Sequence, residues 1–343
     1  MTCLLISLLC RRHRLMLLFT LSGILRMESL NSAFLSDLFL IKGINEEKES
    51  QMWDCLIMQM LDGKTNRGMM FYGRSMRHRN VLLCAIGALA FYLMARFKLT
   101  GEFEGEKCPD FTNNRTWYNI KLLLAIGTSK KKKNANAATV GRGEGEVSKE
   151  NFKLAIKKIL MKLGIASSHF EHLGRIFGHM NLQFLEIDEK FIQKLGNWNV
   201  DVRDQCYSNN LPLPAMRGAA GYTQNNGRYS NPRATVDPPE ELERMIFPFA
   251  EAQLEKVQAE VERNGARLGG NYLGAARNFL NMLLRLRTIV LQDAAALQVE
   301  HPERCNGHML FLAFPEIFRS QLFIVSSFCL IVKFFSLFSN LFA

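Results

Sequence analysis

Paired cysteines and clustered histidines are both missing from this chain. Its eight cysteines (Cys3, Cys10, Cys55, Cys84, Cys108, Cys206, Cys305, Cys329) are scattered, with no C-x-x-C pair and no histidine group at zinc-ligand spacing. That predicts reduced thiols, no structural metal and no cofactor. The amino terminus, MTCLLISLLCRRHR, places its apolar run before its basic residues, the reverse of a secretory signal, so secretion is not expected. Acidic residues are short as well: 43 Lys and Arg face 32 Asp and Glu, a net charge of +11. Such a balance suits a polyanionic partner, either nucleic acid or an acidic membrane surface.

One long apolar run is present. Residues 321–343, QLFIVSSFCLIVKFFSLFSNLFA, could span a bilayer and are interrupted only by Lys333. Ser326, Ser327, Ser336, Ser339 and Asn340 dilute the run, and a translated non-coding stretch would look similar. A membrane is therefore the lesser expectation, and residues 301–343 are set apart as a tail that is non-native or membrane-seeking. With 48% hydrophobic and 22% charged residues, the remainder can bury a sizeable core.

The periodicity of the chain is mostly helical. A core helix is expected over 11–30, carrying Arg26 near its end. Two β-prone runs within 52–78 flank the turn composition DGKTN at 62–66, a hairpin with Lys64 at its tip. Residues 80–97 form a strongly apolar helix, and order resumes at 117–126 after a loop. Residues 128–145 are a polar linker whose lysines at 130–133 suggest a nuclear signal. Further helices are expected over 149–163, 169–179 and 188–194. After the Pro-, Gly- and Asn-rich stretch 212–239 comes a long charged helical segment, 240–299, which either packs in cis or pairs with another subunit. The predicted class is mainly α with a small β-hairpin or sheet (α+β), divided into a domain over 11–239, a helical extension over 240–300 and the tail.

Protein tyrosine attack on a phosphodiester needs a phenol in line with phosphorus, cations on the non-bridging oxygens and an acid for the leaving oxygen. His172 and Arg175 form an H-x-x-R box whose spacing turns both side chains to one helix face. In LGNWNVDVRDQCYS, Tyr207 follows Trp198 by nine positions. Between Gly63 and Asn80 no acidic residue accompanies Lys64, Arg67, Arg74, Arg77 and Arg79, which predicts an electropositive hairpin edge.

Arg26, Lys64, His172, Arg175, Trp198 and Tyr207 occur in the order of the tyrosine-recombinase superfamily. The chain further resembles the Crypton-derived, recombinase-like DNA-binding domain of the fungal kinetochore centromere-binding subunit and its relatives. The likeness is carried by GKTN at 63–66, MRHRNVLLCAIGALAFYLMARF at 76–97, TWYNIKLL at 116–123, LPLPAMRGAAGY at 211–222 and YSNPRATVDPPEELERMIFP at 229–248. It covers roughly 11–299, and the first ten and last thirty residues depart from it.

The resemblance implies a recombinase catalytic-domain-like fold, a nuclear location and double-stranded DNA as partner, with a homodimer through 240–300 as a further expectation. It also implies Tyr207 as nucleophile, Arg26 and Arg175 as phosphate clamps, His172 and Trp198 as hydrogen-bond donors and Lys64 as general acid. Two readings stay open: a protein that holds the DNA backbone without cutting it, and an active recombinase. The plainer alternatives are a core tyrosine at 207, a core-plugging Trp198, and ion pairing of Arg26 and Arg175 with Glu28 and Glu171.

Overall fold

In the computed structural model, the described residues are 2–45, 48–60, 70–125, 150, 153–154, 157, 161, 172–198, 211–222, 229–269 and 271–300. Lys64, Arg67, Tyr207, the linker over 128–145 and the tail over 301–343 lie outside them, as does most of the helix expected at 149–163.

The helix expected over 11–30 is two helices. α1 (Thr2–Ser22) ends where Gly23 and Ile24 leave helical geometry, Ile24 with a φ of 52°, and Arg26 sits in extended backbone as the N-cap of α2 (Met27–Ser32). Arg26 therefore stands on a corner between helices rather than on a helix face.

A three-stranded antiparallel sheet follows, in the order β1 (Leu38–Asn45), β2 (Lys48–Met60), β3 (Phe71–Met76). The expected hairpin is β2 with β3, paired from Cys55 with Met76 to Met60 with Phe71. β1 is an addition that the hairpin reading omitted. Alternate residues of β2 feed two cores: Leu56, Met58 and Met60 join one, while Trp53, Cys55 and Ile57 join the other. Both faces of the strand are covered, which is why its apolar run is nearly continuous rather than alternating.

α3 (Ala85–Thr100) is buried on every side from Ala85 to Phe97, so its lack of a polar stripe marks a central core helix. It starts five residues later than the apolar run suggests. Asn80 accepts the Leu82 N–H at 2.8 Å to open a 3-10 turn (Val81–Leu83), and Cys84 is extended before the first helical residue. Gly101, left-handed at a φ of 59°, closes α3 with a hydrogen bond to the Phe97 carbonyl. The short α4 (Asn114–Trp117) brings Trp117 into an aromatic cluster with Phe111 and Phe279.

α5 (Leu173–Phe184), α6 (Glu189–Leu195) and α7 (Leu213–Ala219) line the second core. Asp188 caps α6 by accepting the Lys190 N–H, the Asp-led helix start expected from the sequence. α8 (Glu240–Met245), α9 (Phe249–Leu268) and α10 (Gly274–Glu300) complete the described chain. Of the two arrangements open for 240–299, the structure has the helices packed in cis. Phe279, Leu283, Leu286 and Val290 of α10 share the first core with α1 and α3, and Arg285 reaches Asp54 of β2 at 2.9 Å. The protein is thus mostly helical with one small antiparallel sheet, the α+β class. Among the described residues no helix is long and apolar enough to cross a membrane, and no group of His, Cys, Asp and Glu could hold a metal ion.

Candidate nucleic-acid interface

Close contact between α1 and α5 builds the site. Gly174 and Gly178 are one turn apart on α5, and a Cβ on either would collide with α1, at 2.2 Å from Thr20 Oγ1 and 2.3 Å from the Leu21 carbonyl oxygen. Only hydrogen at both positions lets the two backbones approach this far. The approach sets the start of α5, with exposed His172 at its N-cap and half-buried Arg175 one turn in, beside the α1–α2 corner that carries Arg26.

Arg175 and Arg26 are electrostatic neighbours. The Arg175 guanidinium is pushed down to about 10, first by burial and then by the charge of Arg26. A half-buried guanidinium beside a second cation favours an anion, and a phosphate offers the fork geometry that guanidinium matches.

The third wall is the turn after α6. Arg175 donates to the Gly196 carbonyl at 3.2 Å, and its Cζ lies 4.4 Å over the ring of Trp198. Asn197 makes the turn at a φ of 54°, conformations that asparagine tolerates better than most residues, and the Trp198 N–H returns to Gln193 at 2.9 Å. The Trp198 ring is half-buried and also touches His179 edge-on at 5.1 Å. β3 is tied to the same turn: Asn197 Nδ2 donates to the Tyr72 carbonyl at 3.0 Å, and Arg74 reaches the Lys194 carbonyl at 3.4 Å.

Of the ten residues singled out from sequence, Arg26, His172, Arg175 and Trp198 gather around this corner. Arg74 lies against it, but half-buried and engaged with backbone carbonyls and the Tyr72 ring. Arg79 is exposed on the loop after β3. Arg77 requires a correction. Expected on the electropositive edge, it is 1% exposed and bound to Gln292 and Asp293 of α10, so it serves the core and offers nothing to a ligand. Lys64, Arg67 and Tyr207 lie outside the described residues.

Sequence reasoning missed Arg233, which donates to Asp293 and to the carbonyls of His78 and Arg79, all at 2.6–2.7 Å. Its signal was the PRAT segment, singled out without a role. It also missed the pair of His179 and Glu189, 3.1 Å apart, which no local pattern marks.

No curated protein matches this chain. A family model described as "Centromere DNA-binding protein complex CBF3 subunit, domain 2" matches residues 5–323, nearly the whole chain and the whole of the corner built by Arg26, Arg175 and Trp198. The protein belongs to that family of centromere DNA-binding complex subunits.

Proposed function

We propose that this chain is a nuclear protein that binds duplex DNA, gripping the sugar-phosphate backbone where Arg26 and Arg175 meet beside Trp198. The observation that carries the reading is the placement of Arg175, half-buried on the Trp198 ring and the Gly196 carbonyl, with the charge of Arg26 acting on it. A net charge of +11 and the exposed Arg79 agree with a polyanionic partner. The family's description as a centromere DNA-binding subunit points the same way. Phosphate contacts of this kind set affinity and register, while base choice depends on other side chains.

Arg26 and Arg175 act here as recombinase-like phosphate clamps. Strand cleavage would add Tyr207 as nucleophile and Lys64 as general acid, roles that rest on the resemblance alone; a covalent adduct with a nicked suicide substrate, lost in Tyr207→Phe, would add that chemistry. A homodimer through 240–300 would use the exposed surface of α8, α9 or the end of α10, because Leu254, Val257, Phe279, Leu283 and Val290 pack in cis.

A salt titration tests the grip. The double variant Arg26→Ala, Arg175→Ala is expected to bind duplex DNA at least tenfold more weakly and to flatten the slope of log affinity against log salt by about 2, one for each lost phosphate contact. Unchanged affinity and slope in a folded double variant would remove the proposed grip.

A further inference from the structure

Trp198 faces Arg175 with its ring. We propose that Trp198 is a positioning residue: its ring carries the Arg175 guanidinium, and His179, held by Glu189, in turn holds the ring. The inference rests on the phosphate-grip reading of Arg175 and deepens it.

Each link is local and directional. The Cζ of Arg175 lies 4.4 Å from the centre of the Trp198 ring, well within the range at which an aromatic face attracts a cation. The Gly196 carbonyl takes one N–H of the same guanidinium at 3.2 Å, so the fork is seated on one side by a ring and at one corner by a carbonyl. Among the described residues, the ring and the carbonyl are what seat this guanidinium. The ring can sit there because Gly196 has no side chain: a Cβ would lie 3.1 Å from the indole.

His179 is four positions after Arg175, on the same face of α5. It meets the Trp198 ring at 5.1 Å with the planes 74° apart, an edge-to-face contact. Its Nε2 is 3.1 Å from Glu189 Oε1 in the first turn of α6, and Gln183 approaches the other oxygen at 3.5 Å. Glu189, His179 and Trp198 thus form a chain across α5 and α6 that ends under the guanidinium. A half-buried arginine held this way loses little freedom when a phosphate arrives, which is how preorganisation raises affinity.

A double-mutant cycle on the full chain, read as affinity for a random-sequence duplex, separates this inference from the reading beneath it. Arg175→Ala is expected to weaken binding; if it does not, the phosphate grip itself fails. Trp198→Leu alone is expected to weaken binding roughly tenfold, Trp198→Phe by less than about threefold because a ring is kept, and His179→Leu by an intermediate factor. In the Arg175→Ala background, Trp198→Leu is expected to change affinity no further, since the ring acts through the guanidinium. The positioning role is overturned, with the grip intact, if Trp198→Leu binds as tightly as the wild type, or if its loss is equally large without Arg175. Should the Leu variant fail to fold, the Phe variant decides: retention supports the platform, and a loss as large as that of Arg175→Ala overturns it.

Discussion

Arg77, just past the end of β3, donates to Asp293 of α10, and both side chains are sealed from water at 1% and 0% exposure. Gln292 accepts a second N–H of Arg77 at 2.6 Å, and Arg233 donates to the same oxygen of Asp293 at 2.7 Å. Gly87 of α3 makes room for this carboxylate, since a Cβ there would fall 2.1 Å from Asp293 Oδ2. One carboxylate therefore joins the sheet, the PRAT segment, α3 and α10.

Removing that carboxylate would leave the buried Arg77 without its counter-charge. Asp293→Ala is expected to cost about 3–5 kcal/mol of stability, the usual penalty for breaking a buried pair from one side. Urea denaturation measures it, and a loss below about 1 kcal/mol would show that the junction does not hold the fold.

The contrast between Arg77 and its neighbour explains what the sequence could disclose. Both stand in MRHRN, with no acid near in sequence, and both read as an electropositive edge. The carboxylate that buries Arg77 lies 216 positions away in the chain, and no local pattern announces it. α3 was legible because an all-round apolar run has no other place than a core, and the β2–β3 hairpin because β-prone runs flanked turn residues. The break after α1 was hidden, since Ile24 is a β-branched residue at positive φ, where such residues are rare. At the site, the order of Arg26, His172, Arg175 and Trp198 was visible as a motif. The seat of Arg175 on Trp198 was not, because it depends on a turn through Asn197 that sequence periodicity does not encode.

Arg79 should behave in solution as Arg77 cannot. Its N–H is fixed to the Ala220 carbonyl at 2.8 Å and its own carbonyl to Arg233 at 2.7 Å, which leaves an exposed side chain on an anchored backbone. Arg79→Ala is expected to weaken binding of all duplex sequences alike and to lower the salt slope by about 1. Arg77→Met, read at a temperature where it is folded, should leave the slope unchanged. The reverse pattern would reassign the DNA-facing surface.

Gly178 tests the link between helix packing and the site. A methyl group at this position would press on the Leu21 carbonyl oxygen, a backbone atom that cannot rotate away. Gly178→Ala is expected to cost about 1–3 kcal/mol as an overpacked contact. By levering α5 off α1 it should also separate Arg175 from Arg26 and weaken DNA binding in the same variant. Normal affinity together with lost stability would mean that the two arginines do not depend on this helix contact.

Acid sensitivity follows from His13, which is 8% exposed on α1. Burial, and next the guanidinium of Arg12, push its imidazole down to about 3; Arg12 lies within hydrogen-bond distance of His13 Nε2 at 3.1 Å, which needs the neutral ring as acceptor. His78 is pushed down to about 4, again chiefly by burial. In the unfolded chain both titrate near the ordinary histidine value of about 6.5. Between those limits the unfolded state binds protons that the folded state refuses, so stability is full above about pH 6.5 and falls as the pH drops through the window. At pH 5, His13 alone should account for a loss of about 2 kcal/mol relative to pH 7.5. Urea denaturation at the two pH values is expected to show this loss in the wild type and a smaller one in His13→Leu, whose apolar ring replacement takes up no proton; equal losses in both would place the acid-sensitive group elsewhere.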